Sequence, residues 1–157
     1  LPAEGEVIIG CNPQRFTVTC DAWDFTSKVI DGNFPDYTRV IPDDRDAKCR
    51  LTIADHKAFN AAIDRVAYKG ARESVAISIA DGKAIATGKT LDGEFATIPL
   101  PCEVEGDSEL ILSFNRNYLA DHVGEPCDLV LFGPNDPMRV VYAGDPDKVG
   151  VLMPLRV

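Results

Sequence analysis

Cys49, Asp55 and His56 are the residues in this chain whose types could support covalent chemistry, a thiol nucleophile served by a nearby base. Their spacing is not diagnostic of such a system, and a histidine at the start of a helix commonly serves as a surface or capping side chain. The chain has no Gly-x-Ser-x-Gly, no phosphate-cradling glycine loop and no His-Glu-x-x-His. Its five cysteines (Cys11, Cys20, Cys49, Cys102, Cys127) are odd in number and contain no Cys-x-x-Cys pair. They read as free thiols of a reducing compartment. A zinc site needs closely spaced ligand pairs, and His56 and His122 stand far from any such pair. The carboxylates cluster at turns, without calcium-loop spacing. Neither catalysis, a metal nor a cofactor is expected.

Binding is the alternative, and composition limits its kind. The 157 residues suffice for one domain and part of another. No apolar run reaches the length needed to span a bilayer. A net charge of −9 argues against a broad basic face gripping phosphates, though not against a few cations on one side of a loose ring. The chain opens on Leu with no leader pattern, and so reads as an internal or C-terminal piece of a longer protein, or a trimmed one.

The elements that would position a binding surface follow from periodicity. Short strands are expected at 6–10, 15–21 and 23–30, with Phe16, Val18 and Cys20 alternating onto one face. Residues 30–42, Ile-Asp-Gly-Asn-Phe-Pro-Asp-Tyr-Thr-Arg-Val-Ile-Pro, read as an extended connector. Asp31-Gly32 signals a turn, and Pro35 and Pro42 each lack a donor and restrict the residue before them. Phe34, Tyr37, Val40 and Ile41 make it apolar enough to dock on a surface. The charged run 43–46 is the best domain boundary, dividing 1–42 from 43–157.

Beyond it a strand at 49–53 leads to a helix capped by Asp55, with Phe59, Ala62, Ile63 and Val66 on one face and Gly70 at its end. Strands at 74–80, 83–89 and 94–100 follow, the first two joined by an Asp81-Gly82 hairpin turn. The order then recurs: a strand at 109–114, a helix at 115–123 and strands at 127–132, 138–143 and 149–155. The fold expected is α+β, two strand-helix-strand-strand-strand units with helices on one face and antiparallel sheets on the other.

The connector resembles, nearly residue for residue, the link between the second and third domains of the bacterial DNA polymerase III beta subunits, the sliding clamps. The doubled unit resembles one domain of that family, the DNA-clamp fold. The tail Val-Gly-Val-Leu-Met-Pro-Leu-Arg-Val at 149–157 is similar to the family's Met-Pro-apolar-Arg-apolar ending, and Phe114-Asn115-x-x-Tyr118-Leu119 to the start of its last helix. The resemblance implies that 1–42 is the end of the second domain plus the connector, and 43–157 the third domain.

It also implies a noncatalytic processivity factor of bacterial cytoplasm. As a homodimeric ring in the full-length protein, it would encircle duplex DNA and dock the polymerase III alpha subunit, the clamp loader and other proteins through a short peptide motif. Carried over by position, the peptide groove would use Pro35, Arg39 and Val40 from the connector and Val151, Leu152, Met153, Pro154, Leu155 and Arg156 from the tail. Asn115, Tyr118 and Met138 would complete it. Apolar walls of this kind suit one or two anchor side chains, and Met adapts its shape. Lys57, Arg65 and Arg116 would face DNA phosphates nonspecifically, diluted by Asp55, Asp64 and Asp121. By the same resemblance Tyr68 and Lys69 would stand at the subunit interface, where Lys69 departs from the family's aliphatic pattern and would need a partner for its charge. The alternative is a clamp-like peptide-binding module that never encircles DNA.

Overall fold

Asn12-Pro13 and the Asp21-Ala22 pair break the first thirty residues into a meander. In the computed structural model, residues 6–67, 74–89, 94–106 and 109–156 are described. The chain divides into two compact units, Leu1–Asp36 and Tyr37–Val157. In the first, β1 (Ile8–Cys11), β2 (Arg15–Cys20) and β3 (Trp23–Lys28) pair antiparallel in that order. The Asn12 side chain accepts from the Gln14 and Arg15 amides, closing the first turn. Phe16 and Val18 are half-buried, whereas Ile8, Ile9 and Phe25 are exposed. A three-stranded sheet without a covering layer has no core of its own.

The division falls inside the connector, so residues 37–42 go with the second unit. The connector is not extended throughout: Tyr37–Val40 makes one 3-10 turn. Pro35 and Pro42 constrain Phe34 and Ile41, the residues before them, and leave the stretch between free to coil. A second 3-10 turn, Asp44–Asp46, is capped by Asp43, whose carboxylate accepts from the Arg45 amide.

The doubled pattern is present. The first repeat is β4 (Cys49–Ile53), α1 (His56–Val66), β5 (Ser74–Ala80), β6 (Lys83–Lys89) and β7 (Phe95–Pro99). A three-residue strand, β8 (Glu103–Glu105), comes next. The second repeat is β9 (Leu110–Asn115), α2 (Arg116–His122), β10 (Cys127–Leu131), β11 (Met138–Tyr142) and β12 (Asp145–Leu152). The repeats are interleaved. One sheet has the order β7-β6-β5-β9, the other β12-β11-β10-β4-β8, so each takes three strands from one repeat and the leading strand of the other. Asp81 and Gly82 both have positive φ, at 51° and 67°, as the tight β5–β6 hairpin requires.

Most element ends lie within one or two residues of the sequence expectation, and three departures are larger. β8 was not expected, because three residues carry no measurable period; β4 creates it by pairing Thr52, Leu51 and Arg50 with Glu103, Val104 and Glu105. β12 begins at Asp145 instead of 149, across an irregular register at Val141/Tyr142 that Pro146 disguises as loop. α1 stops at Val66, with Ala67 extended, before the expected stop at Gly70, which lies outside the described residues.

The core is the apolar face of each element brought together, led by Leu51, Phe59, Ile63, Phe114, Leu119 and Leu129, all fully buried. α1 packs on β6 and β7, and α2 on β9 and β12. The helices are tied antiparallel: Asn60 Nδ2 donates to the Val123 carbonyl at 2.7 Å, and Arg116 Nε to Asp64 at 2.8 Å. Both therefore lie on one face. The cap of α1 is the predicted one, Asp55 accepting from the Ala58 amide at 2.9 Å. Asp55→Ala should cost about 1 kcal/mol of stability, read as a lower urea midpoint at unchanged slope.

Candidate functional site

Strand alternation points Val130 of β10 away from the core, between Arg50 of β4 and Arg139 of β11, its register partners on either side. Such a position is normally wet. Val130 is nevertheless fully buried, as is Phe132, and neither belongs to the interior core cluster. The end of the connector lies on this face. Arg139 Nη1 donates to the Pro42 carbonyl at 3.1 Å, and Nη2 bonds the Asp44 carboxylate. Arg50 Nη1 donates to Asp128 at 2.7 Å, and its Nη2 approaches Asp44, at 4.0 Å. Asp44 thus sits between two arginines that flank an apolar side chain.

An open groove of about 890 Å³ runs beside this docked segment. It is lined by Arg39, Val40, Ile41 and Pro42 of the connector and by Val151 and Met153 of the tail. Phe132 and Pro137 also line it, and Asp43, Asp46, Lys48 and Asp136 add charges of both signs. Arg45 beside Asp43 holds that exposed carboxyl below the usual carboxylate range. Apolar walls with a few fixed charges suit a linear segment with one or two apolar anchors.

Of the groove residues expected from sequence, Arg39, Val40, Val151 and Met153 come together here. Met138 and Leu152 do not line it. They face one another in the β11–β12 register and are both buried in the core beneath. Pro154 is buried, and Leu155 and Arg156 are exposed. The Leu155 amide donates to the Ser113 carbonyl at 2.6 Å, which carries the tail from β12 to the outer edge of β9. Two residues further along, Asn115 caps α2 by accepting from the Asn117 and Tyr118 amides, and the Tyr118 side chain is exposed. Pro35 belongs to the first unit and is exposed.

Sequence reasoning missed Phe132, Pro137, Asp44 and Arg139. The alternation of β11 turns Arg139 outward, but nothing in the local sequence says that it is covered.

Lys57 and Arg65 are exposed on α1. Arg116 is not available to a ligand in the same way. It is buried, with its guanidinium on Asp64 and Asn117. Tyr68 and Lys69 lie outside the described residues. Burial pushes the Cys49 thiol up, and the Cys102 and Cys127 thiols to about 11, away from the thiolate a nucleophile needs. Among the described residues no group of three or more His, Cys, Asp or Glu is placed to hold a metal, and no helix is long and apolar enough to cross a membrane.

No family model matches the chain. Curated relatives do. The chain is 33% identical to the beta sliding clamp of Caulobacter vibrioides over 164 aligned positions, which cover all of this chain and 43% of that protein. It is 32% identical to the beta sliding clamp of Pseudomonas putida, covering 98% and 42%. Among solved structures, the DNA polymerase sliding clamp of Caulobacter crescentus superposes with a TM-score of 0.81 at 38% identity, over 96% of this chain and 41% of that one. A sliding clamp from Pseudomonas aeruginosa, bound to griselimycin, gives a TM-score of 0.84 at 27% identity, over 99% and 43%. The chain spans less than half the length of the relatives it matches. Sequence and fold agree along nearly its entire length, and the chain belongs to the bacterial beta sliding clamp family.

Proposed function

We propose that the chain is part of a noncatalytic DNA polymerase processivity factor, and that its groove is where partner proteins dock by a short peptide. Residues 1–42 are assigned to the end of a second clamp domain with the connector, and 43–157 to the third. As part of a homodimeric ring on DNA in the bacterial cytoplasm, the protein would act by topology. A closed ring stays on duplex DNA without a tight phosphate grip, which suits a chain of net charge −9. Lys57 and Arg65, exposed on α1, are the cations assigned to loose phosphate contact; Arg116, committed to Asp64, is left out of that set. The polymerase alpha subunit, the clamp loader and other motif-bearing proteins would exchange at the groove and be held near the primer end at high effective concentration.

The observation that carries this reading is the groove itself, which connector residues Arg39 and Val40 line together with tail residues Val151 and Met153. A peptide burying one or two anchors there should bind at roughly micromolar strength. Griselimycin, bound in the Pseudomonas aeruginosa clamp structure, supplies a probe. Calorimetric titration of the folded chain with griselimycin should give saturable binding. No heat of binding up to about 1 mM ligand would reject the docking role.

A further inference from the structure

Arg139 is not a wall of the groove, yet the connector is held on it. An outward arginine on a strand is ordinarily solvated, but the side chain of this one is only 13% exposed. Its two terminal nitrogens are spent on the Pro42 carbonyl and the Asp44 carboxylate. Its Nε is buried with no partner among the described residues. An unpaired buried donor is costly, and an apolar side chain of similar length would cover Val130 without that cost. What an apolar side chain cannot supply is direction: a planar fork catches a carbonyl and a carboxylate two residues apart and fixes both.

Register gives the fork its meaning. Arg139 stands directly opposite Val151 across the β11–β12 ladder. Val151 lines the groove from the tail, and Pro42, which Arg139 holds, lines it from the connector. One side chain therefore links the strand paired with Val151 to the backbone of the connector. Asp44, shared with Arg50, keeps the two arginines from repelling each other across Val130.

We propose that Arg139 is a positioning residue for peptide docking: it sets the width of the groove by holding the 39–42 wall at a fixed distance from Val151 and Met153. This rests on the docking role proposed above. The test uses the whole chain, griselimycin as the probe, and the variants Arg139→Met, Arg139→Lys and Met153→Asp.

Arg139→Met should weaken binding about tenfold or more, the loss expected of hydrogen bonds to a charged group, with the urea midpoint equal to the parent's or higher. Arg139→Lys keeps the charge but not the fork, and should fold normally and still bind more weakly. In the free chain, amide exchange at Ile41 and Asp44 should quicken in Arg139→Met while β4 and β10 stay protected, which a merely structural loss would not produce. Parent-like binding by Arg139→Met, or by Arg139→Lys, beside a Met153→Asp that no longer binds would overturn the positioning role alone. Parent-like binding by Met153→Asp would overturn the groove assignment and this inference with it.

Discussion

Met153→Asp should abolish griselimycin binding, by about a hundredfold or more, and leave the urea unfolding midpoint unchanged. Met153 lies on the groove wall and is 55% exposed, so it contributes little to the fold. Its value lies in what it covers when a ligand arrives. A thioether adapts to an anchor side chain, whereas a carboxylate in its place must shed water against that anchor's apolar surface. A charge desolvated against an apolar anchor costs several kcal/mol, enough to remove micromolar binding from the measurable range. Calorimetry on the variant and a urea titration run beside it separate the two effects. A variant that unfolds early would place Met153 in the fold, and one that binds normally would place the ligand elsewhere.

The second large effect concerns the helical face. Gly88→Ala should destabilise the chain by about 3 kcal/mol or more, seen as a marked fall in urea midpoint. Gly88, in β6, lies under the end of α1. A Cβ built there would meet the Val66 carbonyl oxygen at 2.1 Å and its carbon at 2.7 Å. Both are backbone atoms, so no rotamer change relieves the clash; the last turn of α1 would have to lift off the sheet. Gly32→Ala is the control, since its added Cβ meets nothing within 4 Å. Equal midpoints for the two variants would show that α1 does not rest on Gly88.

The elements with a clear period were legible without coordinates. Val75, Ile77 and Ile79 alternate inward in β5, and Phe59, Ala62, Ile63 and Val66 follow the turn of α1, because burial on one face selects residue type at that spacing. Which strand lies beside which was not legible. Nothing local in 49–53 says that β4 belongs to the sheet of the second repeat; that choice is made by the fit of whole faces. Charged side chains misled for the same reason. Arg116 reads as exposed, yet its partner Asp64 lies on the other helix, 52 positions away. Met138 and Leu152 fall within the segments expected to line the groove, but strand parity turns them inward. Val40 and Met153 could be named because connector and tail have the character of a known family; Arg139 has no such marker.

The interleaved sheets have a consequence for any single repeat. A lone copy could not close its own core, because its leading strand completes a sheet built by the other copy. Two separate copies would have to trade those strands around a two-fold axis, as domain-swapped dimers do. Joining them through one backbone replaces a concentration-dependent encounter with a tethered one. In this form the assembly survives dilution, because the second repeat can never diffuse away from the first.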